Sequence, residues 1–146
     1  MRRMNSTPLL LDASIILKWF IDEIDSSLAK ELGLRFRKRR VILTTTRFTF
    51  YEVANALKYT KRFSSEDIRG YLKDLTDSGL HIFEYQLNVL QEAVEISMES
   101  NISVYDAYYI AQADIEGFRF VTADAKLVDK LRGVTDIMTL EESVMT

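Results

Sequence analysis

The sequence predicts an α/β fold in which a central parallel sheet is flanked by helices. Three observations lead there. Short apolar runs without polar alternation recur along the chain, Leu9-Leu10-Leu11 the first of them, as expected of strands buried on both faces. Between these runs lie longer segments with apolar residues at helical spacing. The two kinds of segment alternate throughout, a pattern that implies right-handed crossovers within one parallel sheet.

The elements follow in order. Residues 1–7 read as a loosely ordered polar lead with Arg2 and Arg3, and Pro8 suits the first residue of a strand. Leu9 to Asp12 is strand one, and Ala13 to Phe20 a short helix that is apolar nearly all round. Asp22 to Ser27 is a polar turn in which Ser26 or Ser27 can cap the next helix, Leu28 to Arg40. Arg35, Arg37, Lys38, Arg39 and Arg40 suit the negative end of that helix dipole. Val41 to Thr44 is a second buried strand, and Arg47 to Phe63 a strongly aromatic helix. Ser64-Ser65-Glu66-Asp67 forms a capping box for a helix that Gly79 closes. Leu80 to Phe83 is the third strand. Leu87, Leu90, Val94 and Met98 mark one face of the following helix, and Asn101 turns the chain out of it. Ser103 to Glu116 is helical with Gly117 as its stop. Phe118 to Val121 is a strand, Asp124 to Leu131 a short helix, Val134 to Met138 a last strand, and Glu141 onward one helical turn.

Composition narrows the function. The 146 residues, 47% hydrophobic and 28% charged, suffice for the core of one domain spanning 1–146. With no Cys and only His81, neither a His-based triad nor a usual zinc site can be assembled, and His81 within an apolar strand reads as structural. No Gly-rich phosphate loop is present. No apolar run approaches the ~20 residues of a membrane span, and with no signal peptide visible a cytoplasmic address is expected. A net charge of −3 gives no overall basic character to point to nucleic acid. Acids built to hold a cation would mask such character, however.

Four acids stand out: Asp12, Glu52, Asp106 and Asp124. Each has an ordinary reading. Asp12 and Asp124 can cap the helices that follow them, Glu52 can be the exposed corner of an amphipathic helix, and Asp106 can complete a capping box with Ser103. Together they read differently. Strand ends and helix starts of such a sheet share one edge, where open α/β folds bind ligands. Carboxylates gathered there repel one another unless a cation lies between them. All-oxygen ligation selects a hard ion, Mg²⁺ or possible Mn²⁺ in its place. Such a site suits hydrolysis of a phosphodiester by activated water.

Four motifs carry a resemblance: Leu9-Leu10-Leu11-Asp12-Ala13-Ser14, Tyr51-Glu52-Val53-Ala54-Asn55-Ala56-Leu57, Val104-Tyr105-Asp106-Ala107-Tyr108-Tyr109-Ile110-Ala111-Gln112-Ala113 and Phe120-Val121-Thr122-Ala123-Asp124-Ala125-Lys126-Leu127. In this order, in a chain this short, they resemble the PIN-domain family, and within it the VapC-type toxin of prokaryotic toxin–antitoxin pairs. The likeness runs from about Leu9 to about Leu140. It implies a PIN-like three-layer α/β/α fold and a metal-dependent endoribonuclease whose acidic quartet matches Asp12, Glu52, Asp106 and Asp124. In that role Asp12, Asp106 and Asp124 hold metal, and Glu52 completes the cluster and orients or deprotonates the attacking water. Thr122 matches the family's hydroxyl after the late strand, Ser14 the small polar residue after the first acid, and Asn55 the amide one turn past the glutamate. All three take supporting roles. Asp129 reads as a solvated helix residue or an outer-shell acid.

The likeness also implies partners: an RNA substrate and a small antitoxin whose tail lies in hydrophobic grooves and presents a basic side chain to the acids. The basic run from Arg35 to Arg40, with Lys58, Lys61 and Arg62, reads either as a solvated helix end or as a guide for the RNA backbone. The apolar excess on the aromatic helix, and on the early helix carrying Trp19 and Phe20, predicts a partner or homodimer surface. Two other functions fit the same motifs: an RNA-processing nuclease, and a catalytically idle binding module.

Overall fold

The computed structural model describes residues 7–145. Most of the leading segment, with Arg2 and Arg3, lies outside the described residues. In chain order the elements are β1 (Leu9–Leu11), α1 (Ala13–Leu17), α2 (Ser26–Arg37), β2 (Leu43–Thr46), α3 (Arg47–Tyr59), α4 (Ser65–Thr76) and β3 (His81–Phe83). They continue with α5 (Leu87–Ser100), α6 (Val104–Glu116), β4 (Arg119–Thr122), α7 (Ala125–Leu131), β5 (Ile137–Thr139) and α8 (Leu140–Met145). All strands pair in parallel in the order β3-β2-β1-β4-β5. The chain therefore builds outward from β1 in one direction, then returns to build outward in the other. That reversal opens a crevice between the carboxyl ends of β1 and β4.

Side chains of β1 alternate between two cores. Leu9 and Leu11 face a layer built from α1, α2, α3 and α8, and Leu10 packs with Tyr109, Ile110, Phe120, Leu127 and Val128 on the other face. Both faces of β1 are covered, which is why it reads as an unbroken apolar run.

Several expectations shift. β2 is Leu43–Thr46, two residues later than Val41 to Thr44, because Thr44, Thr45 and Thr46 are buried. Their polar cost is met locally: the Thr44 and Thr45 hydroxyls donate to the Leu9 and Leu11 carbonyls of β1. Ser26 is no cap. α2 starts from Asp25 in left-handed backbone, while Ser26 accepts from the Glu23 N–H and donates to the Ile21 carbonyl, bracing the turn. The capping box of α4 is present between Ser64 and Asp67, but the helix ends at Thr76 and Gly79 supplies the left-handed turn (φ 91°) three residues on.

On α5 the buried stripe is Val89 and Ala93, not the line through Leu87, Val94 and Met98, which is exposed. Small residues let α5 settle closely on Ala107 and Ala111 of α6, so the larger side chains turn outward. Phe20 and Trp19 both make contacts within the chain, and Trp19 keeps part of its ring open. Phe20 stacks on Tyr71 of α4 at 5.0 Å, and the Trp19 indole N–H donates to the Ala29 carbonyl at 2.7 Å. His81 lies exposed on the edge strand with its ring against Phe83. No helix among the described residues is long and apolar enough to cross a membrane.

Candidate active site at the switch point of the sheet

All four acids stand on the carboxyl edge. Asp12 follows β1, Asp124 follows β4, Glu52 is in the second turn of α3 just beyond β2, and Asp106 is in the first turn of α6. The ordinary readings also hold in part, since capping and clustering use the same helix starts. Asp12 Oδ1 accepts from the backbone N–H groups of Ser14 and Ile15, and Asp124 Oδ1 accepts from that of Leu127. For Asp106 only half a box forms: Ser103 Oγ accepts from the Asp106 N–H, and Asp106 returns no bond to the Ser103 backbone.

Asp12 is the most committed of the four. Ser14 Oγ donates to its Oδ1 at 2.5 Å, and Thr122 Oγ1 donates to its Oδ2 at 2.6 Å. Ser14 Oγ in turn accepts from the Ala123 N–H, and Thr122 Oγ1 from the Asp124 N–H. These bonds lace the ends of β1 and β4 together beneath the crevice. Asn55 is exposed one turn past Glu52 and makes no hydrogen bond to the four acids; Asp129 is exposed on α7.

Electrostatics link the four. Burial pushes Asp12 up to about 6 against the pull of its donors, with the Asp106 charge adding to the rise. Burial and then the same Asp106 charge raise Glu52, while Tyr109 opposes. Asp106 is itself raised, by burial first and by the Asp124 charge second. Asp106 is thus the member whose field couples to each of the other three. Among the described residues, none of the four has a Lys or Arg ion-pair partner. The charge is left for something outside the chain to balance.

The donor set fits a hard divalent cation: carboxylates and hydroxyls only, with no His or Cys beside them. Among the described residues no three acid side chains close into a ready-made coordination shell. A small ion that keeps several waters and takes only one or two carboxylates directly does not need one.

Sequence patterns missed a set of hydroxyls under the acids. Tyr109 OH donates to Glu52 Oε1 at 3.0 Å, and Thr49 Oγ1 lies 2.5 Å from the same OH. The one signal in the sequence was the Thr44-Thr45-Thr46 run, three hydroxyls in a row where a buried strand ends.

Beside the acids a groove of about 270 Å³ is lined by Phe48, Tyr51, Phe83, Tyr85, Leu90 and Tyr105, with Arg47 at its rim. Arg47 is held there by both carboxylate oxygens of Glu84. A second groove of about 350 Å³, over Trp19, Lys30, Gly33 and Phe36, lies on the α2 face. The structure separates the basic run from the acids. α2 carries Arg35, Arg37, Lys38, Arg39 and Arg40 toward the amino edge, where the Ile42 carbonyl accepts the Leu9 N–H at the start of β1. Lys58 and Arg62 lie at and beyond the far end of α3; six residues separate Lys58 from Glu52, about 9 Å along the axis.

An acid-edged crevice at the switch point of a five-stranded parallel sheet defines an α/β domain with a ligand-binding edge, and the sequence narrows the class. Residues 9–132 match the PIN domain, and the chain belongs to the PIN-domain family. Two curated relatives come from Pyrobaculum aerophilum. One, named Ribonuclease VapC3, is 29% identical over 127 residues, covering 84% of this chain and 93% of that protein. The other, named Exonuclease VapC9, is 30% identical over 105 residues, covering 70% of this chain and 77% of that protein. The crystal structure of PAE2754 from the same organism superposes with a TM-score of 0.71 at 25% identity, covering 95% of this chain and 88% of the other. A toxin–antitoxin complex from Klebsiella pneumoniae contains a chain of the same fold, with a TM-score of 0.65 at 17% identity, covering 90% of this chain and 97% of the other.

Proposed function

We propose that this protein is a divalent-metal-dependent endoribonuclease, the toxin of a VapBC-type toxin–antitoxin pair, working with Mg²⁺ or Mn²⁺. One observation carries the reading: four carboxylates coupled through Asp106 line one crevice, and no cationic side chain among the described residues balances them. Membership of the PIN-domain family and relatives named as VapC nucleases support it.

In this reading Asp12, Asp106 and Asp124 hold the ion. When bound, the ion supplies polarisation of the scissile phosphate and of the attacking water, and a counter-charge for the leaving oxygen. The chain does the rest. Ser14 and Thr122 fix the Asp12 carboxylate so that it does not swing away under repulsion from Asp106. Glu52, half-buried and raised above the usual carboxylate range, takes a proton from the attacking water at its unengaged Oε2. Asn55, exposed on the same side of α3, contacts the RNA phosphates or the water shell. The basic residues Arg35, Arg37, Lys38, Arg39, Arg40, Lys58 and Arg62 act on RNA only where a long strand continues past the edge onto the α2 and α3 faces.

Two partners belong to the reading. A small antitoxin offers a basic side chain to the uncompensated acids, with its apolar residues along the groove over Trp19 and Phe36. A second copy of the chain covers the aromatic groove, where Tyr51, Tyr85 and Tyr105 stand 68%, 65% and 67% exposed. Each such ring buries on the order of 150 Å² when covered, so the three supply a little over half of the ~800 Å² per partner of a standard interface, and Leu87 and Val104 add to it.

The test is cleavage of matched circular and end-labelled RNAs by the purified protein, with Mg²⁺ or with chelator. Metal-dependent opening of circles supports an endonuclease. Shortening of linear RNA alone assigns exonuclease action, as the name of one relative has it. Chelator-resistant cutting refutes metal dependence.

A further inference from the structure

Beneath the acids runs a chain of buried hydroxyls that links three elements. Thr45 and Thr46 close β2, Thr49 sits in the first turn of α3, and Tyr109 in the second turn of α6. Thr49 Oγ1 lies 2.9 Å from Thr45 Oγ1, 3.1 Å from Thr46 Oγ1 and 2.5 Å from Tyr109 OH, which reaches Glu52 Oε1 at 3.0 Å. All four hydroxyl residues are essentially without solvent exposure.

Counting protons fixes the direction. Each hydroxyl has one to give, and an ionised carboxylate has none. Tyr109 therefore donates to Glu52, Thr49 donates to Tyr109, and Thr49 receives from Thr45 or Thr46. Thr45 is also within 2.8 Å of the Leu11 carbonyl, so when it donates there, Thr46 is the donor to Thr49. With Thr45 donating to Leu11, the protons of Thr46, Thr49 and Tyr109 all point toward Glu52, and aligned hydroxyls reinforce one another in a low-dielectric interior.

Packing does not explain the hydroxyl. The Tyr109 ring stacks on Phe120 with an interplanar angle of 4° and meets Phe48 at 4.9 Å. A phenylalanine would make those contacts equally well. Burying a tyrosine oxygen in this core costs free energy unless it is bonded, and its two partners are Thr49 and the carboxylate.

We propose that Tyr109 is the positioning residue of this site: through the Thr46–Thr49 chain it holds Glu52 Oε1 in place and leaves Oε2 as the oxygen that faces the reaction. The proposal rests on the nuclease reading above for the role of Glu52, and on the 3.0 Å contact for the bond itself. It also explains why Glu52, on a helix whose neighbouring Tyr51 points to solvent, does not swing outward to relieve repulsion from Asp106.

The experiment compares the parent with Tyr109→Phe, Glu52→Gln and the double variant. Three quantities are read: Mn²⁺ affinity by electron paramagnetic resonance without RNA, steady-state cleavage, and the Tyr109 hydroxyl proton by NMR in metal-free protein. Tyr109→Phe should fold, because Thr49 can redirect its proton to Thr45 or Thr46 and Glu52 reaches water. Loss of an outer partner of a metal-site carboxylate typically costs ~10–100-fold in metal affinity or rate. The expected result is a drop of that size in Mn²⁺ affinity or kcat with the RNA KM within about threefold, and a double variant no worse than Glu52→Gln. A protected hydroxyl signal should be present in the parent, absent in Tyr109→Phe and shifted in Glu52→Gln.

The proposal is overturned if Tyr109→Phe matches the parent in both affinity and kcat while Glu52→Gln is impaired, or if the penalties of the two variants add. Glu52→Gln indistinguishable from the parent overturns the nuclease reading of Glu52 and the role of Tyr109 with it; a hydroxyl signal that still moves in that variant locates the failure in the function and not in the bond. The hydroxyl signal tests the Tyr109–Glu52 bond even where the RNA supplied is not cleaved: no protected signal in the parent, or one unmoved in Glu52→Gln, overturns the proposal.

Discussion

Asp12→Asn should make the metal-free protein more stable while abolishing its function. Asp12 is 7% exposed, and burial raises it from 3.8 to about 6. At one pKa unit per 1.36 kcal/mol, keeping this carboxylate charged at neutral pH costs the fold about 3 kcal/mol. Asparagine retains Oδ1 as acceptor for the Ser14 and Ile15 N–H groups. Its amide cannot accept from Thr122, and rearranging that bond costs about 1 kcal/mol. The net gain near pH 7 is about 2 kcal/mol, or roughly 4–8 °C in Tm at this chain length.

The sign is fixed by linkage. Between pH 3.8 and 6 the folded parent binds more protons than the unfolded chain, so its stability falls as pH rises through that window. The variant lacks this group, and its advantage opens across the same window and closes below it. Thermal unfolding in chelator at pH 3.5, 5 and 7 reads the gap directly. Adding Mn²⁺ should reverse the order at pH 7, because ligand at 100 times its Kd stabilises the parent by about 2.7 kcal/mol and has little to hold it in the variant. A variant less stable than the parent at pH 7 in chelator, or a gap that does not change with pH, refutes the reasoning.

Other outcomes follow from the same geometry. Thr122→Val removes the donor to Asp12 Oδ2 inside the fold, and urea titration should show a loss of about 1–3 kcal/mol at pH 7 with weaker Mn²⁺ binding. Changing Arg37, Lys38, Arg39 and Arg40 together to Ala should flatten the salt dependence of RNA binding for long RNAs and leave short ones unaffected, since the run lies toward the amino edge; equal effects on both lengths would contradict that placement. Tyr85→Asp together with Tyr105→Asp should convert a dimer to a monomer in sedimentation, with far-UV circular dichroism unchanged. A parent that sediments as a monomer at micromolar concentration removes the dimer.

What could be read from the sequence divides along physical lines. Buried parallel strands announce themselves as apolar runs, so β1 and β4 lie within a residue or so of their expected places; the edge strand β3, only partly buried, begins one residue later than expected. β2 does not, because its buried residues are threonines whose hydroxyls bond to the backbone of β1. A hydrophobic pattern stops where such a strand begins. The face of α5 was misread for a related reason: large residues give the stronger signal, yet close helix packing selects small ones, Ala93 against Ala107 and Ala111. The four acids were legible because carboxylates after strands are conspicuous and the fold class puts such positions on one edge. Tyr109 was not, since a tyrosine within an apolar helix face reads as core, and its hydroxyl matters only through a contact 57 residues away in the chain.

The central claim is that the uncompensated acids around Asp106 make this protein a metal-dependent ribonuclease. The most direct measurement is cleavage of a panel of labelled RNAs by parent and Asp106→Asn, prepared identically and assayed with Mg²⁺, Mn²⁺ or chelator. The account predicts cutting by the parent with either metal, none in chelator, and a loss of at least about 100-fold in Asp106→Asn with its fold intact. Equal cutting by both proteins, or cutting that persists in chelator, would contradict it.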